Sequence, residues 1–209
     1  MKKLLLLILA IGFWSSDIKA QMQKGSWMLE GNVGLSRSRV ILPENFGKLA
    51  PQSSYTFHPK AGIFLKDNLA FGISGLVGNS WTKNKDAARD SPFVPTKMRT
   101  TRIGGGVFLR KYKEINEQLS FFGEIGTDIS WEKYVVKFVD SRQNTERDNG
   151  RTFQAQGTLG LQYLISPKVG VHLQTNLLQY RNVQNLPSEF SEFRAGFLLD
   201  PRVGLTIFL

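Results

Sequence analysis

The chain swaps the character of its side chains at every second residue. From Trp27 to Leu35 the odd positions read Trp27, Leu29, Gly31, Val33 and Leu35, and the even positions Met28, Glu30, Asn32, Gly34 and Ser36. A period of two belongs to a strand with one apolar and one polar face. It recurs about eight times, and no convincing amphipathic helix interrupts it. The expected strands fall near 26–36, 54–65, 69–79, 99–110, 119–132, 152–164, 169–180 and 194–209.

The gaps between these strands alternate in length. Lys66-Asp67-Asn68 and Ser166-Pro167-Lys168 are tight turns by composition, and 111–118 is somewhat longer. The other connections, 37–53, 80–98, 133–151 and 181–193, are long and polar. Short turns at one end and long loops at the other predict antiparallel neighbours, an even strand number and an up-and-down barrel. The expected fold is therefore all-β: an eight-stranded antiparallel transmembrane barrel with short periplasmic turns and long extracellular loops. Closure is a physical requirement there, because hydrocarbon offers no partner to an open sheet edge. Eight tilted strands leave a lumen that side chains nearly fill.

Alternation alone does not say which face is outside, since a soluble lipocalin-like barrel shows the same period with the apolar face inward. Three features favour lipid outside. Trp27, Tyr55, Phe57, Phe121, Trp131, Phe153 and Tyr163 lie near strand ends, as the aromatic girdles of membrane barrels do. The long loops sit on one side only, and the chain ends on a strand with no helix to pack on a wall. The opposite face carries Lys60, Arg102, Arg110, Arg194 and Arg202 against Glu30, Glu124, Asp128, Glu132 and Asp200. Equal numbers of each sign suit an ion-paired interior better than a charge-selective pore, which would favour one sign. Arg110 with Glu124, on adjacent strands, is the preferred pair.

The front of the chain reads as an export signal over residues 1–20, leaving one barrel domain over 21–209. Lys2 and Lys3 precede an apolar run, Leu4 to Trp14, too short to span a bilayer, and Ala20 is a small residue before an expected cut. The chain has no cysteine, which excludes disulfides, a thiol nucleophile and a lipidated cysteine. The net charge is +10, and its excess falls mainly in the long loops. A positive rim on an exported barrel points to the phosphates of surface lipopolysaccharide and outer-membrane lipids as partners, and not to nucleic acid.

Several segments carry a family likeness. Gln23-Lys24-Gly25-Ser26-Trp27-Met28-Leu29 resembles the first strand of small outer-membrane barrel ("porin family") proteins of Bacteroidetes. Similar stretches follow in order: Pro59 to Phe64, Asn68 to Gly72, Gly104 to Tyr112, and Phe121 to Glu124. The resemblance implies the fold of the OmpA transmembrane domain, OmpX and OmpW, in the outer membrane of a Gram-negative bacterium. It carries over no catalytic residue. Arg202-Val203-Gly204-Leu205-Thr206-Ile207-Phe208-Leu209 resembles the C-terminal signal read by the barrel assembly machinery, which makes that machinery an expected partner. Here the terminal residue is Leu209, with Phe208 before it.

The remaining chemistry is sparse. The two histidines, His58 and His172, are both expected to face the lumen, where a metal or acid–base role would need further ligands or a nucleophile. Gly104-Gly105-Gly106 is no phosphate loop, since no helix follows it; mid-strand glycines allow bending and close packing. Trp81, Phe93, Val94 and the Tyr134–Val139 stretch offer a contact surface or prolong strands above the bilayer, and the β composition of the last favours prolongation. No catalytic, cofactor or metal residues are assigned. The expected function is a non-catalytic outer-membrane barrel serving envelope integrity or surface contact. The alternatives are a narrow OmpW-like conduit and a lipid A-modifying enzyme.

Overall fold

A computed structural model describes residues 22–38, 52–83, 95–138, 146–184, 189–197 and 201–209. Its strands are β1 (Trp27–Ser38), β2 (Gln52–Lys66), β3 (Leu69–Lys83), β4 (Pro95–Glu114), β5 (Leu119–Phe138), β6 (Glu146–Ser166), β7 (Val169–Gln184), β8 (Phe190–Ala195) and β9 (Arg202–Phe208). Each pairs antiparallel with its sequence neighbour through β7 and β8, and β9 pairs with both β7 and β1. The ring is closed. The protein is an all-β, up-and-down barrel of eight staves, the architecture of small outer-membrane barrels. β8 and β9 are two parts of the eighth stave.

Three departures from the sequence expectation have local causes. First, β4, β5 and β6 run well beyond the expected ends, to Pro95, Phe138 and Glu146. The pairing of Val135 with Arg99 and Arg147 keeps the ladder intact there, as the β-branched run Val135-Val136 favours. Second, the last strand is not continuous over 194–209. β8 ends at Ala195 and β9 begins at Arg202. Pro201 stands at the junction, where it has no N–H to give a ladder. Third, β7 carries a bulge. Gly157 pairs with Leu178 but Thr158 pairs with Asn176, which leaves Leu177 without a partner on β6. Above it the parity flips: Leu178 and Tyr180 face out and Gln179 faces in, so Leu177 does not continue the apolar row of Val171 and Leu173.

The faces divide as the alternation requires. Leu29, Ile73, Val107 and Leu161 are exposed on the outer wall, while Glu30, Arg110 and Glu124 are buried inside. Tyr55, Phe57, Trp131 and Phe153, with Trp81, Tyr180 and Phe193, are exposed on the outer wall toward the long-loop end. Trp27, Phe121 and Tyr163 are exposed near the short-turn end. On β5 the climb from Phe121 to Trp131 is roughly 25 Å, at about 3.3 Å per residue and a tilt near 40°. That matches the apolar band of a transmembrane barrel.

The short-turn end is stoppered by a small apolar core. Met22, Met28, Phe64, Ala70, Phe108, Tyr112, Phe122, Leu164 and Phe208 are buried together. Phe208 points inward and Leu209 outward. Segment 22–26 is tied to this end, with Gly25 N–H donating to Phe64 O at 2.8 Å and Asn68 N–H to Met22 O at 2.8 Å. The two-residue turn Asp67-Asn68 uses a left-handed Asn68 with φ 63°, a conformation asparagine tolerates. The expected export signal at 1–20, and Phe93, Val94 and Val139, lie outside the described residues.

Candidate functional site: the polar lumen

Parity sends Glu30 of β1, Lys60 of β2, Arg110 of β4 and Glu124 of β5 to the same interior. Glu30 stands directly opposite Lys60 on the ladder, and Arg110 opposite Glu124. The barrel's curvature then brings the two pairs together across the lumen. Arg110 Nε donates to Glu124 Oε2 at 2.9 Å and its Nη2 to the same oxygen at 2.6 Å. Nη2 also donates to Glu30 Oε1 at 3.0 Å, and Nη1 to Glu30 Oε2 and to the Tyr112 hydroxyl, the latter at 3.0 Å. Lys60 Nζ donates to Glu124 Oε1 at 2.6 Å and lies 3.7 Å from Glu30 Oε1. Two cations and two carboxylates are thus matched at 0–2% side-chain exposure. Arg is suited to this role because its planar fork can serve two carboxylates at once.

Aromatic rings hold the guanidinium from the sides. Arg110 Cζ sits 4.2 Å from the Phe122 ring centroid and 5.6 Å from that of Phe108, and Lys60 Nζ is 5.1 Å from Phe108. Phe122 needs an empty space beside it. A Cβ built on Gly160 would collide with that ring. Likewise a Cβ on Gly106 would strike the Thr127 carbonyl of the next strand, so the glycines of 104–106 serve close strand approach.

His172 joins the same cluster. Its Nδ1 lies 3.1 Å from Thr206 Oγ1, and its Nε2 is hydrogen-bonded to Asn32 Oδ1. Asn32 Nδ2 donates to Glu30, so Asn32 Oδ1 accepts from Nε2–H, and Nδ1 is left to accept the Thr206 proton. Both ring nitrogens are therefore engaged, and the imidazole is buried in the lumen. His58 is also buried on the inner face. Among the described residues no group of three or more His, Asp or Glu could hold a metal ion.

A second cluster lies nearer the long loops. Glu132 accepts from Thr152 Oγ1 at 2.6 Å, from Arg102 Nη2 at 2.8 Å and from Arg181 Nη2 at 3.2 Å. Between the two clusters, Asp128 accepts from Ser74 Oγ at 2.7 Å, and Asn176 Nδ2 donates to Gln156 Oε1 at 3.1 Å. Arg202 is buried on the inner wall. Arg194 keeps the inward parity, opposite Gln179 of β7, but is exposed on β8 and paired with Glu192 at 2.6 Å, outside the buried network. The reason is position: β8 lies high on the barrel, next to the upper half of β7. Asp200 lies outside the described residues.

The sequence reading missed Tyr112 and Thr206 as members of the lower cluster and Arg181 as a member of the upper. It also missed the inward aromatics Phe64, Phe108, Phe122 and Phe208. Arg181 sits in a stretch read as loop. The aromatics sit in runs such as Ile63-Phe64-Leu65 and Phe121-Phe122, where both faces are apolar and alternation loses contrast.

No protein-family model and no curated protein matches the chain. Solved structures with a similar course include Neisserial surface protein A, 14% identical, covering 88% of this chain and 97% of that one at a TM-score of 0.41. They also include the N-terminal β-barrel domain of Pseudomonas aeruginosa OprF, at 9% identity, 89% and 98% coverage and a TM-score of 0.35. A major outer membrane protein from Thermus thermophilus is 9% identical, with 90% and 100% coverage and a TM-score of 0.41.

Proposed function

We propose that the chain is an integral outer-membrane barrel with a closed lumen, serving envelope integrity or surface contact through its long-loop end, without catalysis or conduction. The lower cluster carries this reading. Arg110 and Lys60 tie four strands together across the bore and are backed by an apolar stopper. A conduit would need a wet path, and a hydrolase a reachable nucleophile and base. His172 with its bonded Thr206 is buried at 3% and 0% exposure, away from any substrate. The outward apolar band and its two aromatic rings supply the membrane placement.

Planar bilayers containing the purified barrel are expected to show no steady conductance. Reproducible unitary steps that change when Arg110 or Glu124 is replaced would overturn the closed lumen in favour of a narrow channel. Membrane fractionation, with mobility compared before and after boiling, tests the placement. A folded barrel in the outer-membrane fraction is expected, and recovery in the soluble fraction would refute it. An altered lipid A mass spectrum on overexpression would point to an enzyme.

A further inference from the structure

The outer wall is not uniformly convex. A depression of about 480 Å³ runs across it from β3 to β8, within the roughly 300–1,000 Å³ of ligand pockets. Its middle is made by small residues on neighbouring strands. Thr127, Ala155 and Gly157 stand among Ile125, Leu178 and Tyr180. Its exposed lining is almost wholly apolar. It lies on the band that the outward aromatics bracket.

The same columns of residues end in charge. Along β6 the outward positions above Gly157 are Ala155, Phe153 and Arg151. Along β5 the outward positions above Thr127 are Ile129, Trp131 and Lys133. Trp131 stands directly across the ladder from Arg151, and Lys133 directly across from Thr101, two residues from Arg99. Arg99, Lys133 and Arg151 are all exposed on the outer wall. Among the described outward positions on these strands above Trp131 there is no carboxylate, and neither Lys133 nor Arg151 is ion-paired among the described residues. On β6, Gly157 to Arg151 spans roughly 15–20 Å. That length suits a molecule with an apolar chain below and an anion above.

We infer that this wall is a binding site for one outer-leaflet phosphorylated glycolipid of the lipid A type, with an acyl chain in the Thr127–Ala155–Gly157 depression and a phosphate on Arg151 and Lys133. The inference rests on the membrane placement proposed above. Trp131 and Phe153 stand between the two halves, at the depth where a sugar–acyl junction would lie. Neither half suffices for selection. The groove alone would accept any lipid tail, and the basic patch alone any polyanion.

Native mass spectrometry of the full folded barrel, released from micelles doped with diphosphorylated lipid A, tests this. A one-to-one adduct is expected. The doubly substituted R151S/K133S barrel should bind at least about tenfold more weakly, given the attraction of surface cations for lipid anions. A155F, which fills the depression, should weaken the adduct as well. T127L, a milder filling change on the other strand, serves where A155F lowers the yield of folded barrel. Fully dephosphorylated lipid A and the deacylated phosphorylated disaccharide should each bind poorly. Equal binding of the dephosphorylated lipid, or unchanged adducts in both R151S/K133S and the groove variants, would overturn the site. Full-strength binding of the deacylated disaccharide would reduce it to a polyanion patch and overturn it too. Conductance or a soluble-fraction result bears on the parent reading, so the two failures are distinguishable.

Discussion

At the scale of single residues, the strongest constraint is the balance of charge around Arg110. Its removal leaves Glu30 and Glu124 facing one remaining cation, Lys60, where side-chain exposure is 0–2%. Arg110→Met is expected to cost about 3–5 kcal/mol, because the penalty is an uncompensated buried charge more than a lost contact. Adding Glu124→Gln leaves Glu30 with Lys60, a neutral pair, so the double variant should recover a large part of that loss. Urea unfolding of the two single variants and the double variant in micelles measures this as a coupling energy. Additive losses would mean that the two groups do not share a charge balance. Gly160 gives a second, purely steric case. Gly160→Val drives a side chain into the Phe122 ring, and about 1–3 kcal/mol should be lost, as in overpacked cores. The same unfolding series reads it, and an unchanged midpoint would show that Phe122 can move aside. Parity alone placed Glu30, Lys60, Arg110 and Glu124 on one face. It gave the neighbours on a ladder, and only barrel curvature gave the contact from β1 to β4.

At the scale of elements, a strand is defined by its phase, and β7 changes phase once. Leu177 is the extra residue, with Asn176 and Leu178 already paired to consecutive residues of β6. Deleting Leu177 should therefore keep every β6–β7 pairing and every facing, removing the bulge and the one backbone bond that the Leu177 carbonyl accepts from Gly196 N–H at 3.0 Å. The shortened chain is expected to fold with a stability within about 1–2 kcal/mol of the parent, since only the single backbone bond from Gly196 N–H to Leu177 O is lost and no pairing with β6. Deleting Thr127 from β5 is the control. Regular ladders flank it on both sides, so the deletion turns one half of the strand inside out. That variant should not yield a folded barrel. The two are compared by the fraction that shifts mobility on boiling; equal yields would show that register, and not the bulge, is soft. This bulge also marks the limit of the sequence reading at this scale. Val169 to Gln174 alternate cleanly, and nothing in Thr175-Asn176-Leu177-Leu178 announces a change of phase. The extended upper ends of β4 to β6 were half visible: Tyr134 to Phe138 has strand composition, whereas the charged segment Glu146 to Arg151 reads as loop and is held in the ladder by its partners on β5.

At the scale of the whole molecule, one inequality decides everything: which wall is wetted by lipid. The interior clusters hold Glu30, Lys60, Arg110 and Glu124 in mutual ion pairs and Glu132 with Arg102 and Arg181, while the wall exposes Ile73 at 64%, Ile125 at 64% and Val203 at 60%. In water such a wall would be a hydrophobic patch far beyond the few hundred Å² that soluble monomers tolerate. In lipid it is the favourable surface, and closure of the ring leaves the strands paired. The tryptophans report the placement directly. Trp27 lies at the short-turn end and Trp131 under the basic patch, with exposures of 52% and 58%. Barrels retaining one of these tryptophans, the others changed to Phe, can be reconstituted in bilayers with bromine placed either near the headgroups or deep in the acyl chains. Both tryptophans should be quenched more by the shallow bromine. A tryptophan moved to the middle of the band by Ile73→Trp should show the reverse order. Emission blind to bromine at every depth would mean that the greasy wall meets no acyl chains, and the membrane placement, the closed-lumen function and the glycolipid site would fall together.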